Sequence, residues 1–461
     1  MSRVITSDKL NLIVTREIML RVDKSFRFDI NFLFVTIIVA AKNAGISATS
    51  YHPKYEPTWD SLDARPIPAW YDSAKVGVKV SWGVSSVPGF RNEWFWHSWQ
   101  GPDPDPKSIE FMQQNYPPRF TYQDFARDFT AEFFDPYKLA DILESSGAKY
   151  VVFTSKHHDG YALYPSTYSF GWNSVDTGPR RDLIGEFSKA IRTRTDIKFG
   201  LYHSLYEWFH PLYLRDKERD FKTRQFVTQK VIPEFKELVK LYRPEVIWSD
   251  GDWEASDDYW DSKNVLAWLY NTSPVKNTVV VNDRWGNGTT CKHGGVWNCA
   301  DRYNPGYLMP HKWENAFTID RYRRNSQFED YLSTQDIINQ LVSTVSEVIA
   351  NPIFALGQSK FQVSCGGNFL INVGPTKEGT LAPILVERLT QLGEWLKFNG
   401  DAIYETTIWP TAQNDSVTEG LWYTFKPRER KIFIIQLYRQ LYATLKVKRL
   451  FAVRLTVDWF L

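Results

Sequence analysis

The sequence predicts an α/β fold, a (β/α)8-like barrel followed by a small all-β segment. Three observations carry that reading. Short apolar runs alternate with helix-length amphipathic segments, polar and aromatic side chains come after many different runs, and no glycine-rich phosphate loop occurs. Repeated strand–helix alternation implies a parallel sheet covered by helices. A doubly wound sheet gathers its chemistry at one switch point, often beside a G-x-G-x-x-G turn, whereas a barrel spreads it over the ends of many strands.

The apolar runs occupy residues 76–80, 150–154, 198–202, 246–248, 278–281 and 369–373. Between them, Asp135 followed by Pro136 reads as the cap and first turn of a helix, with Leu139, Ile142 and Leu143 spaced three and four apart. Residues 182–194, 231–242 and 334–346 read similarly. The residues just beyond the runs are polar and varied: Ser81-Trp82-Gly83, Ser155-Lys156-His157-His158-Asp159-Gly160, His203-Ser204, Asp250-Gly251 and Asn282-Asp283-Arg284-Trp285. Residues 56–400 are therefore expected to form the barrel. From 401 the character changes, and Leu421-Trp422-Tyr423-Thr424-Phe425 with Lys431-Ile432-Phe433-Ile434-Ile435 reads as a hairpin with a charged turn, the start of a partial β domain over 401–461.

A net charge of +2 argues for neither nucleic acid nor an acidic partner. Aromatic residues make up 16% of the chain, with 19 Trp, more indole than a core requires and in keeping with a cleft that grips sugar rings. Three cysteines are too few for a disulfide scaffold; Cys291 and Cys299 can pair across a short loop and leave Cys365 over, but spacing does not fix the connectivity. The apolar tract at 32–41 is too short to span a bilayer. With Arg21, Lys24 and Arg27 before it and Ala40, Ala41 and Ala44 around its end, it is laid out as a secretory signal that begins too far from Met1; a start at Met19 restores the usual length. Residues 1–55 are accordingly an N-terminal extension with a signal-like segment. Sequons at Asn271, Asn287 and Asn414 agree with a secretory route.

Chemistry is expected first at Asp250. An Asp-Gly pair ordinarily marks a surface turn, but here the apolar run Val246-Ile247-Trp248 precedes it and Trp253 comes after, which implies a carboxylate delivered by a buried strand. Asp252 and Glu254 lie close by, yet the spacing lacks the glycine and closing Glu of a calcium loop. His157 and His158 are neighbours, so on a strand they would face opposite sides; Gly160 implies that the strand has ended, letting both imidazoles address one ligand. Arg284, at the end of another apolar run, needs a carboxylate or a ligand beside it. A glycosidase needs two carboxyls, one ionised and one protonated; beyond Asp250, the acids in fitting contexts are Asp301 and Glu314, and the sequence does not choose between them.

From roughly Trp59 to Tyr404 the chain resembles the α-L-fucosidases of glycoside hydrolase family 29, most of all the animal lysosomal or secreted type. The resemblance is carried by Asn92-Glu93-Trp94-Phe95-Trp96, Asn115-Tyr116-Pro117-Pro118, Thr154-Ser155-Lys156-His157-His158-Asp159-Gly160, Gly200-Leu201-Tyr202-His203-Ser204, Trp248-Ser249-Asp250-Gly251, Val281-Asn282-Asp283-Arg284-Trp285 and Asn372-Val373-Gly374-Pro375. It implies a retaining exo-hydrolase on a (β/α)8-like barrel followed by a β-sandwich, acting on terminal α-L-fucose of glycoproteins, glycolipids and oligosaccharides. By resemblance Asp250 is the nucleophile, Asp301 the acid/base with Glu314 as its rival, and Glu93, Trp94, His157, His158, Tyr202, Trp248 and Arg284 line the fucose pocket. No metal or organic cofactor is expected; the partner is a fucosylated glycan, with no nucleic acid and no membrane span, a homo-oligomer being left open, in a lysosomal or secreted location.

Four departures accompany the resemblance. The family's first strand ends in His-Trp-Gly, whose His binds the sugar, but here it is Ser81-Trp82-Gly83; Lys79, on the same face, is expected to be an unpaired and costly ammonium inside the barrel. Between Asp320 and Arg323 a Ser-Trp-Gly-Tyr stretch is mostly lost, and an insert runs from Glu347 to Ser364. Unspliced or mis-joined coding sequence would account for the insert, the gap, the N-terminus and the short β domain. A catalytically impaired protein that binds fucose without turnover is the alternative these departures raise.

Overall fold

The computed structural model describes residues 55–305, 309–320, 331–345, 366–408, 421–436 and 454–456. The signal-like tract, Asn414, Cys365, the 347–364 insert and residues 321–323 lie outside them.

Seven parallel strands form one curled sheet: β1 (Val76–Val80), β2 (Tyr150–Lys156), β3 (Lys198–Ser204), β4 (Val246–Asp250), β5 (Val280–Val281), β6 (Glu314–Thr318) and β7 (Asn368–Val373). Their order is β5-β4-β3-β2-β1-β7-β6, that of a barrel opened between β5 and β6. The chain itself bridges that opening. Val296 N–H donates to Val281 O at 2.9 Å, while Trp297 N–H donates to Lys312 O at 3.0 Å and Trp297 O accepts from Glu314 N–H at 2.9 Å. The predicted barrel is thus the observed one.

Parallel strands covered on both faces should be apolar throughout, and β2 is buried at all seven positions. Around the sheet run α1 (Pro136–Ser145), α2 (Leu183–Arg194), α3 (Ile232–Tyr242), α4 (Ser262–Asn271), α5 (Thr334–Val345) and α6 (Pro383–Asn399). The Asp135 carboxylate caps α1 by accepting from Tyr137 N–H at 2.9 Å and Lys138 N–H at 3.0 Å, and Pro136 fills the first helical position where no N–H is needed. Leu139, Ala140 and Leu143 then face the core. Asp182 caps α2 in the same way through Gly185 N–H at 2.8 Å.

Three strands run two residues further than the apolar runs suggested. The pairings Lys156↔His203 and Ser204↔Asp250 continue the ladders through polar residues, so Asp250 is the last residue of β4. One strand, β6, was not foreseen, because it opens on Glu314-Asn315 and gives no apolar run; conversely the run at 278–281 yields only a two-residue strand. After α6 the hairpin forms as expected, β8 (Leu421–Lys426) antiparallel to β9 (Lys431–Gln436), with β10 (Arg454–Thr456) parallel to β9. Thr407 and Phe425 exchange backbone hydrogen bonds at 2.7 and 2.9 Å, and Thr424 Oγ1 donates to Ala402 O at 2.7 Å, tying the hairpin to the end of α6.

Below the rim lies a buried ionic cluster. Lys156 Nζ lies 2.7 Å from both Glu207 Oε1 and Glu234 Oε2, and Lys230 Nζ lies 2.7 Å from Glu234 Oε1. Such a network contributes little net stability over an apolar core, but losing one partner strands buried charge. Lys156→Met is expected to destabilise the fold by about 3–5 kcal/mol, because Glu207 and Glu234 lose their shared ammonium; a denaturant midpoint that does not move would show the cluster to be dispensable.

Candidate active site

β4 delivers Asp250 to the rim, and the turn after it can only be glycine. Gly251 has φ +75°, and a Cβ there would lie 2.1 Å from Cδ1 of Tyr206. Asp250 is only 7% exposed and its carboxylate is held from two directions. Tyr202 Oη donates to Oδ2 at 2.7 Å, Arg284 Nη1 donates to Oδ1 at 2.9 Å, and His158 Nε2 stands 3.7 Å from Oδ2. Burial pushes this carboxyl up, but the charges of Arg284 and Lys79 and the two hydrogen bonds outweigh it, and the net shift is downward. Asp250 is therefore ionised and oriented. The second nitrogen of the same guanidinium, Nη2, donates to Asp301 Oδ1 at 2.7 Å, so one planar fork spans two carboxylates. Burial alone would lower the pKa of Arg284; Asp250 and Asp301 raise it instead.

β2 ends at Lys156, so His157 and His158 lie in the loop beyond it, their ring centroids 4.0 Å apart. Gly160 makes the bend possible: its φ is +77°, and a Cβ would lie 2.7 Å from Glu207 Oε2. The tautomer of His158 is set by its neighbours. Ser204 Oγ donates to Tyr206 O at 2.8 Å and so must accept from His158 Nδ1–H at 2.7 Å. Nε2 is left as an acceptor, buried and with no hydrogen-bond partner among the described residues. Burial, and then the positive charges around it, push the His158 pKa far down, so the ring is neutral. It is ready to accept a proton-bearing group of a ligand. Trp94 meets His158 edge-on at 5.3 Å and stacks with the half-exposed Trp253 at 5.7 Å. Trp208, not foreseen, packs edge-on to His158 at 5.4 Å; it lies four residues past β3, and only the strand's true end at Ser204 reveals it as a rim residue.

The floor is aromatic. Tyr202 and Trp248 stack at 5.7 Å, and Arg284 lies over the Trp248 ring at 4.6 Å. Lys79 has no ion-pair partner among the described residues, as expected, but its burial is compensated by two ring faces. Its Nζ sits 4.2 Å from the Tyr202 ring centroid and 4.1 Å from that of Trp248, where the ring faces attract a cation. Burial lowers its pKa, against the pull of Asp250, Asp301 and Glu93, which places Glu93 in the same electrostatic neighbourhood. Two residues on, Ser81 Oγ donates to Asn372 Oδ1 at 2.7 Å.

The two rival acids differ sharply. Glu314 is 1% exposed and accepts from Tyr71 Oη, Tyr150 Oη, Trp248 Nε1 and Asn298 Nδ2, so both of its oxygens are committed below the floor. The Asp301 side chain is 42% exposed and meets Arg284. Burial and the charge of Asp250 push Asp301 up, Arg284 pulls it down further, and the net is below an ordinary Asp. Its loop is fastened by the Cys291–Cys299 disulfide, and the Asp283 carboxylate accepts from the N–H groups of both cysteines at 2.9 and 3.1 Å. Asp252 accepts from Gly286 N–H at 3.0 Å, and Glu254 pairs with Lys217 at 2.7 Å, so each is engaged apart from the other. Of the sequons, Asn287 is exposed, while the amide nitrogen of Asn271 is spent on Tyr55 O and Ala267 O.

The chain is similar to known proteins over most of its length. The α-L-fucosidase family model matches residues 43–351 and 361–401, and the stretch it skips lies within the 347–364 insert. Plasma α-L-fucosidase of Homo sapiens is 54% identical over 386 residues, covering 83% of this chain and 78% of its own. Tissue α-L-fucosidase of Bos taurus is 52% identical, covering 81% and 76%, and α-L-fucosidase of Branchiostoma floridae is 53% identical, covering 82% and 80%. Among solved structures, the Thermotoga maritima α-fucosidase in complex with fucose superposes with a TM-score of 0.65 at 34% identity, covering 81% of this chain and 84% of that one.

Because the Tyr202 hydroxyl helps to hold the Asp250 pKa below the 3.8 of an ordinary Asp, Tyr202→Phe is expected to raise it. The acid limb of the pH–activity profile then moves to higher pH. A limb that stays in place would mean that this hydroxyl does nothing for the carboxylate.

Proposed function

As the chain belongs to the α-L-fucosidase family, whose members hydrolyse fucosides, we propose a retaining double displacement in which Asp250 is the nucleophile and Asp301 the acid/base. The observation that carries the proposal is the single Arg284 fork shared by the two carboxylates. Retaining glycosidases hold their two carboxyls about 5–5.5 Å apart, and one guanidinium spanning both favours that short spacing. In the first step an Asp250 oxygen forms a bond to C1 of the fucosyl unit, the C1–O bond to the aglycone breaks, and Asp301 gives its proton to the departing oxygen. In the second, Asp301 takes a proton from water as the water oxygen bonds to C1, and Asp250 leaves as a carboxylate.

The electrostatics suit the second of those steps. The negative charge of Asp250 pushes the Asp301 pKa up, the sense an acid requires, but the Arg284 charge outweighs that push and the net lies below an ordinary Asp. When Asp250 becomes a neutral ester the push disappears, and Asp301 turns into the stronger acid and hence the ready base of the second step. Glu314 suits the part less well, since four donors hold it below the floor. His158 Nε2, an acceptor without a partner among the described residues, would take a hydrogen bond from a sugar hydroxyl, and the Tyr202–Trp248 wall would meet an apolar part of the ring. Binding without turnover finds less support, as both carboxylates and the arginine between them are present. Among the described residues no helix is long and apolar enough to cross a membrane, and the plasma and tissue relatives favour a secretory route ending outside the cell or in the lysosome.

Hydrolysis of an aryl α-L-fucoside by the purified chain tests the activity directly. Asp301→Ala is expected to lose about 10²–10⁴-fold on fucosylated oligosaccharides and far less on substrates whose leaving group needs no proton, whereas Glu314→Ala is expected to lower thermal stability without that contrast. The reverse pattern would assign the acid to Glu314.

A further inference from the structure

Among the described residues, Lys79 is the one cation of the pocket that the proposed mechanism does not use. It stands in the middle of β1, its side chain only partly covered, and its ammonium rests on the faces of Tyr202 and Trp248. Among the described residues it makes neither an ion pair nor a hydrogen bond, and its three N–H donors address ring faces. Two residues along the same strand face, Ser81 has turned its hydroxyl to Asn372. The ammonium is thus the hydrogen-bonding group that this face of the pocket offers to a ligand.

The polar groups dictate how a sugar would lie. With C1 at Asp250, a sugar hydroxyl finds a partner in His158 Nε2, while the apolar surface of the pocket is the Tyr202–Trp248 wall. A 6-deoxyhexose has one wholly apolar substituent, the C6 methyl, and burial against that wall is where it gains most. The ammonium already occupies the wall. A methyl group there covers the cation and accepts nothing from it, whereas an oxygen on C6 accepts a charge-assisted hydrogen bond.

We infer that Lys79 sets the specificity of this pocket towards sugars of the fucose configuration that carry an oxygen on C6, that is, α-L-galactosides. The inference rests on the reading that C1 is bound at Asp250. Free L-fucose and L-galactose differ only in the C6 oxygen, so calorimetric titration of the full chain with each isolates the contact. The wild-type protein is expected to bind L-galactose at least as tightly as L-fucose. In Lys79→Met, close in shape, and in Lys79→Phe, the galactose-to-fucose affinity ratio falls about tenfold or more, and a ratio cancels any general damage to the site. A ratio unchanged in a variant that retains the wild-type melting profile, or a wild-type protein that rejects L-galactose, overturns the inference. Aryl α-L-fucoside hydrolysis by the same preparations reads the catalytic proposal separately, since sugar preference in binding does not depend on turnover.

Discussion

The bond pattern on which the site depends is the Arg284 guanidinium shared between Asp250 and Asp301. Two carboxylates close together in a half-dry pocket repel, and without a cation between them at least one would take up a proton and relax away. Arg284 keeps its charge at any accessible pH and is flat. It therefore sets the distance between the acids, their orientation and the ionised state of Asp250 all at once. Trp248 beneath it supplies a face on which the guanidinium lies.

Much of the surrounding structure serves to keep that fork still. Asp301 arrives on a loop closed by the Cys291–Cys299 disulfide and pinned by Asp283. Trp248 is fixed from below by Glu314, itself gripped by two tyrosines and an asparagine. The histidine loop rests on a buried Lys–Glu cluster, where Glu207 closes against Gly160. Each is a polar group placed where burial is expensive, and each is engaged by charge or hydrogen bonds rather than by exposure. The site is rigid because its supports cannot rearrange without stranding one of them.

The barrel and Asp250 were legible in the sequence because buried parallel strands write themselves as apolar runs, and a carboxylate after such a run has few bland explanations. Polar structure inside the sheet stayed hidden. β6 begins with Glu314-Asn315, whose burial depends on Tyr71, Tyr150 and Thr344 from distant parts of the chain. Lys79 looked like a stranded charge because no sequence pattern announces that two ring faces will converge on it. For Arg284 the sequence demanded a carboxylate or a ligand without naming one; folding supplies two carboxylates, Asp250 and Asp301. Trp208 escaped notice because strands that continue through polar residues end later than their apolar cores.

The proposed chemistry requires Asp250 to be the group that bonds to C1. The most direct test is Asp250→Gly assayed on an aryl α-L-fucoside with and without azide. The variant is expected to lose turnover while still binding fucose, and azide, entering the space left by the carboxylate, is expected to restore aglycone release and yield β-L-fucosyl azide. An Asp250→Gly protein that keeps its activity, or one that binds fucose yet gives no azide adduct, would contradict the assignment.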